Sequence, residues 1–249
     1  MNIPIRKKWG QNFLIDSNII SKIIKTLNPE KEQIVLEVGP GRGALTKKLS
    51  LMGLSIKGIE IDPMLCRYLD KLKLKNVQII NEDILKFDTS IMPDKFLVIG
   101  NLPYNISTPI LFKFMQIKGW IKMVVMLQKE VAERIVAKSD NKKYGRISIM
   151  MQSFFDLNLE FNIPNTVFNP QPKVISSVLS IVPKKNLNIN YEDLSLVVEN
   201  AFKHRRKKLR HNLKNILKAD ALEKIKDKRA EQLTVKDFQK LSLYIKHNV

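Results

Sequence analysis

The sequence predicts an α/β fold, a parallel sheet with helices on both faces, followed by a small all-α domain. Three observations carry that reading. Five short apolar runs alternate with amphipathic stretches, a glycine-rich turn follows the first run, and beyond Pro183 strand signals give way to helical periodicity and dense charge. With 249 residues, 44% hydrophobic and 27% charged, the chain can bury a sizeable core, which excludes a wholly disordered protein.

Ile34 to Val38 is the first buried strand. After its glycines, Leu45, Leu49 and Met52 recur at i, i+4 and i+7 and Gly53 closes the turn, giving strand, tight turn and helix. Ser55–Ile61, Val77–Ile80, Phe96–Ile99 and Met123–Leu127 are the next four strands, with helical segments between most of them. No repeat or low-complexity segment interrupts the series. A domain boundary falls near residue 185, so that 1–185 form the sheet domain and 186–249 a basic helical domain. From Lys184 on, 17 Lys or Arg stand against 8 Asp or Glu. Phe202, Leu209, Leu213 and Ile216 recur at helical spacing, with Lys203, Arg205, Lys207, Lys208 and Arg210 around them, which reads as one amphipathic helix with a basic outer face.

The formal net charge of +19 points to a polyanionic partner, of which nucleic acid is the commonest. On that ground Arg205, Arg206, Lys207 and Lys208 are candidate RNA contacts; a merely solvated helix is the plainer alternative. Cys66 is the lone cysteine, so no disulfide forms within the chain, as suits a reducing cytoplasm; helix packing is its expected role. His204, His211 and His247 have no cysteine partners at metal-ligand spacing, and no metal is expected. No apolar run approaches membrane-spanning length and Met1–Lys8 lacks the apolar core of a signal peptide, so a cytoplasmic protein without membrane contact is expected.

Glu37-Val38-Gly39-Pro40-Gly41-Arg42-Gly43 ends the first strand and opens a helix. Gly39 and Gly41 allow a sharp turn and the close approach of a ligand to the backbone. With Ala44 the spacing also fits a dinucleotide fingerprint, so the loop signals a nucleotide-like cofactor without choosing between NAD and S-adenosylmethionine. Glu60 ends the second strand 21 residues after Gly39, where a carboxylate can accept bonds from ribose hydroxyls. Asp83, after the third strand, can accept from an adenine amino group; a turn cap would also account for it.

Asn101-Leu102-Pro103-Tyr104, after the fourth strand, is the most specific signal. It resembles the Asn/Asp-Pro-Pro-Tyr signature of methyltransferases that act on exocyclic amines. Adenine N6 is a poor nucleophile because its lone pair is delocalised into the ring. Two acceptors on its hydrogens, the Asn101 side-chain oxygen and the Leu102 carbonyl, would favour a pyramidal nitrogen. Pro103 forces Leu102 into extended backbone, and Tyr104 can stack on the base and favour developing positive charge. A sulfonium is already an activated donor, so positioning and electrostatics do the rest, without a metal.

With these motifs the chain resembles, nearly end to end, the KsgA-type ribosomal small-subunit rRNA adenine dimethyltransferase family. Lys8-Trp9-Gly10-Gln11-Asn12-Phe13-Leu14 is similar to its N-terminal motif, Glu37–Thr46 to its cofactor loop, Asn101–Pro109 to its catalytic loop, and Phe168-Asn169-Pro170-Gln171-Pro172-Lys173-Val174 to its late motif. The resemblance implies a Rossmann-like class I methyltransferase sheet with a small C-terminal all-α domain, and S-adenosylmethionine as cofactor with S-adenosylhomocysteine as product. It implies cofactor contacts at Asn12, Leu14, Gly39, Glu60, Asp83 and Asn101, with Phe168 packing on the target base, opposite or beside Tyr104. It further implies a monomer that methylates two adjacent adenosines, twice each, in the 3′-terminal hairpin of 16S rRNA on an immature small ribosomal subunit. Rivals are the large-subunit rRNA adenine methylases of macrolide resistance, a DNA adenine methyltransferase, an NAD-dependent oxidoreductase, and a non-catalytic RNA-binding assembly factor.

Overall fold

A computed structural model describes residues 4–6 and 9–246; Lys8 of the N-terminal motif and His247 lie outside the described residues. In chain order the strands are β1 (Phe13–Leu14), β2 (Ile34–Val38), β3 (Ser55–Glu60), β4 (Val77–Asn81), β5 (Phe96–Asn101), β6 (Trp120–Gln128), β7 (Phe155–Ile163), β8 (Phe168–Asn169) and β9 (Ser176–Pro183). The five apolar runs are thus β2 to β6. The main sheet has the order β4-β3-β2-β5-β6-β9-β7. Its first five strands are parallel, and β9 enters antiparallel to β6, with Gln128 opposite Ser176. The five strands expected to form a parallel sheet do so, and β9 adds an antiparallel neighbour that the sequence did not signal. The remaining strands, β1 and β8, form a two-stranded antiparallel sheet that pairs Leu14 with Phe168.

Burial follows position in the sheet. β2, β5 and β6 lie in the middle and are nearly continuous apolar runs, as strands covered on both faces must be. One face, carrying Val35, Ile56, Leu97, Ile99, Val124 and Met126, packs against Ile23, Ile24 and Leu27 of α1 (Ser17–Leu27) and Leu45 and Leu49 of α2 (Ala44–Leu51). Side chains of the opposite parity, Leu36, Val98 and Val125, are buried too. Local signals fix the helix starts. Asp16 accepts the amides of Asn18 and Ile19 to cap α1, and Asp62 caps α3 (Pro63–Lys71), which has its proline in the first turn. At the centre, a Cβ on Gly100 of β5 would meet the Val38 carbonyl oxygen at 2.6 Å, so only glycine lets β2 and β5 approach this closely.

The chain divides into two compact units, one comprising the chain up to Ala132 plus Asn158–Pro183, the other Glu133–Leu157 plus the segment from Lys184. The second unit thus takes in α6 (Arg146–Phe154) as well as the C-terminal helices. It contains α7 (Tyr191–Lys203), α8 (Leu209–Leu213), α9 (Ala219–Glu223) and α10 (Val235–Ser242), with α4 (Ser107–Gln116) and α5 (Lys129–Ile135) earlier in the chain. The single amphipathic helix expected from Phe202 to Ile216 is broken. α7 ends at Lys203, the segment His204–Lys207 turns, and α8 begins at Leu209. In a continuous helix Lys203, Arg206, Lys207 and Arg210 would set like charges at i, i+3 and i+4 spacing, where they repel. Asn212 then caps the broken end, its Nδ2 donating to the carbonyls of Ala201 (2.7 Å) and His204 (3.2 Å). Leu209 and Leu213 stay fully buried across the break.

Candidate active site

At the carboxyl ends of β2, β3 and β5 a cleft opens. Asn12, Leu14, Gly39, Gly41, Glu60, Asn101, Leu102, Pro103 and Tyr104, nine of the sequence-predicted site residues, line it. Gly39, Gly41 and Gly43 all have positive φ (65°, 60° and 76°), a left-handed path that lets the loop wrap tightly from β2 into α2.

Glu60 organises this loop. Its Oε2 accepts the Gly41 amide and its Oε1 the Asp62 amide, both at 3.0 Å. Burial pushes its carboxyl up, and the two amides oppose the shift. The N-terminal segment closes the other wall. Gln11 donates to Asp62 Oδ2 (2.9 Å) and receives the Arg6 amide on its Oε1. A Cβ on Gly41 would touch the Phe13 ring at 3.0 Å, so the strap and the glycine loop are in contact.

The catalytic loop depends on that strap. Asn101 Nδ2 donates to the Asn12 carbonyl oxygen at 2.7 Å. The bond fixes which end of the amide is which, and leaves Oδ1 buried with no hydrogen-bond partner among the described residues. An orphaned buried acceptor is costly unless something else completes it, and here it lines a cleft. Leu102 is anchored through its amide to the Met126 carbonyl (3.2 Å). Tyr104 is half-buried, and its phenol oxygen lies 2.6 Å from Ser176 Oγ.

Two expected site residues lie elsewhere. Asp83 is not part of the cleft lining; its Oδ1 accepts the Leu85 amide at 2.9 Å, the turn-cap alternative. Phe168 is 3% exposed and packs in the core with Leu14, Ile163 and Val178, because the β1–β8 pairing draws it inward. In this structure its ring offers no face to a base; it fastens the late motif to the strap. The sequence reading in turn passed over Glu37, which is 1% exposed and lines the cleft. Its carboxyl is raised to about 7, chiefly by burial; Thr46 opposes that shift and Glu60 reinforces it. A carboxylate inside the apolar run Ile34–Val38, directly before the glycines, was the available signal.

The titration of Glu37 gives a stability prediction. Its folded value of about 7 lies above the ordinary 4.5, so the folded state holds the proton more tightly. Its contribution is therefore fully present below about pH 4.5 and is lost as the pH rises to 7, by up to about 3 kcal/mol. Glu37→Gln is expected to flatten the melting temperature across that window and to raise it at pH 8; a drop at pH 8 would contradict this.

The cleft brings together a left-handed glycine loop, a buried strand-end carboxylate and an unpartnered buried acceptor, a lining that fits S-adenosylmethionine. Fold and site together define a class I methyltransferase. A family model described as ribosomal RNA adenine dimethylase matches residues 2–247. Proteins named "Ribosomal RNA small subunit methyltransferase A" are similar over 96% of this chain and 97% of their own length, at 43% identity in Francisella tularensis subsp. novicida and, over the same shares, at 41% in Coxiella burnetii. A dimethyladenosine transferase from Plasmodium falciparum superposes with a TM-score of 0.81 at 27% identity, covering 94% of this chain and 99% of the other. The 23S rRNA methyltransferase ErmE shares the fold (TM-score 0.71, 23% identity, 93% and 98% coverage). The chain belongs to the ribosomal RNA adenine dimethylase family, S-adenosylmethionine-dependent enzymes that methylate rRNA adenines.

Proposed function

We propose that this chain, acting as a monomer, methylates N6 of two adjacent adenosines in the 3′-terminal hairpin of 16S rRNA, twice each, on an immature small ribosomal subunit. The observation that carries the site assignment is the buried, unpartnered Asn101 Oδ1 in the cleft. The strong likeness to proteins named for the small subunit supports that subunit over the large.

Bound S-adenosylmethionine supplies a methyl group already activated on a sulfonium. The protein's work is to place the acceptor. Asn101 Oδ1 accepts one N6 hydrogen and the Leu102 carbonyl the other, drawing the lone pair out of conjugation. Tyr104 stacks on the purine, and its π face would favour the positive charge that N6 carries on accepting the methyl group, until N6 releases one of its own hydrogens to solvent water. Glu60, Gly39, Gly41, Asn12 and Leu14 hold the cofactor; Asp83 joins them only if its turn opens toward the adenine, and Phe168 acts through the β1–β8 pairing. Loop adenosines can be splayed into such a cleft at modest unstacking cost. Purified enzyme is expected to label immature small subunits from methyl-labelled cofactor and to leave large subunits unlabelled. Labelling of large subunits alone would favour the macrolide-resistance type.

The turn after α7 is proposed to grip the rRNA backbone. Its four cations are all exposed, but they are not equivalent. Arg205 donates to the carbonyls of Lys142 (3.3 Å) and Tyr144 (3.1 Å), and Lys208 pairs with Asp227 at 2.8 Å. Arg206 and Lys207 show no side-chain hydrogen bond or ion pair among the described residues. Arg206→Ala with Lys207→Ala is expected to weaken rRNA binding about tenfold and to lower the slope of log affinity against log salt by roughly 1.5 to 2. An unchanged slope in a filter-binding titration would place the contact elsewhere.

A further inference from the structure

We propose that Ser176 is a positioning residue for methyl transfer, holding the Tyr104 ring over the target base. The inference rests on the placement of Tyr104 beside the acceptor purine. Tyr104 leaves the catalytic loop after β5, and its phenol oxygen meets Ser176 Oγ at 2.6 Å, at the start of β9. The topology accounts for the reach. β9 runs antiparallel to β6, so its first residue lies beside Gln128, at the carboxyl end of β6 and next to the loop.

Ser176 is fully buried and Tyr104 half-buried, so the bond is shielded from competing water. Burial also raises the phenol's pKa, against the opposing effect of the Ser176 bond. A tyrosine held only at Cβ can swing about χ1; held also at its oxygen, its ring axis is fixed, and with it the point at which the ring meets a purine. An aromatic platform of this kind contributes little unless it is in place when the base arrives.

The neighbouring serine supplies the control. Ser177 is equally buried, but successive strand residues face opposite sides, and its hydroxyl donates to Asn162 Oδ1 at 2.7 Å. Of two adjacent buried serines, each with a hydroxyl bond, one touches the catalytic loop and the other does not.

The test is steady-state methylation of small subunits by the full-length enzyme, with S-adenosylhomocysteine affinity and melting temperature measured alongside. Ser176→Ala is expected to lower kcat about five- to tenfold, with KM for the subunit and S-adenosylhomocysteine affinity within about twofold. Ser177→Ala is expected to keep kcat within twofold. In the Tyr104→Phe background, which already lacks the phenol, Ser176→Ala should add less than twofold. Wild-type kcat in Ser176→Ala, equal losses in the two serine variants, or losses that multiply with Tyr104→Phe would overturn the proposal. Should Ser176→Ala fail to fold, Ser176→Cys, which keeps the volume but bonds weakly, is expected to give the same kcat loss, and full turnover there would overturn it equally. Failure of the underlying placement reads differently: Tyr104→Ala would then retain turnover.

Discussion

Replacing Asn101 by alanine is expected to cut methyl transfer about 10³-fold while leaving rRNA affinity within about twofold. The substitution removes the buried Oδ1 proposed to accept one N6 hydrogen. It also breaks the 2.7 Å bond to the Asn12 carbonyl, which ties the strap to the end of β5. Both losses fall on the reacting geometry, whereas the exposed cations proposed to bind rRNA are untouched. Tyr104→Ala should behave alike, since it deletes the stacking face. Single-turnover rates and filter-binding affinities measured together would check this; a parallel fall in both would show that these side chains serve binding.

The second large effect is expected at Glu60. Its two oxygens accept the amides of Gly41 and Asp62, so the carboxylate joins the glycine loop to the start of α3. Glu60→Ala leaves two amides without their acceptor in a site where the glutamate is 5% exposed, at about 1 to 3 kcal/mol each. Loss of the proposed ribose contact adds to that. S-adenosylhomocysteine affinity is expected to fall about 100-fold and the melting temperature to drop; unchanged affinity by calorimetry would remove Glu60 from the cofactor site.

What could be read from the residues alone follows from how long a pattern each element leaves. β2 to β6 are runs of five to nine residues, mostly apolar at their centres, and such runs are visible in isolation whether the strand is buried on both faces, as β2, β5 and β6 are, or lies at the sheet edge, as β4 does. β1 and β8 are two residues each, below any periodic signal, yet their pairing decides where Phe168 goes. Phe168 therefore looked like an aromatic contact for a base and proved to be core. α7 and α8 carry apolar residues in register with one another, so the break at His204 was hidden from periodicity and shows only in the charge run. In the site, the position of Asn101 to Tyr104 and Glu60 in the cleft was legible because each follows or ends a strand of the parallel series. The link between Asn101 and Asn12 was not, because it runs through a backbone carbonyl 89 residues away, and a carbonyl has no letter in the sequence. Ser176 was hidden for a related reason: a serine in a buried strand has nothing to distinguish it from Ser177 until the loop is seen above it.

Mass mapping of the 3′-terminal hairpin of 16S rRNA bears most directly on the central claim. Cells lacking the gene would be complemented with wild type or with Asn101→Ala. The account predicts N6,N6-dimethyladenosine at two adjacent positions with the wild type and unmodified adenosines with the variant. Full dimethylation by the variant, or wild-type modification confined to other nucleotides, would contradict it.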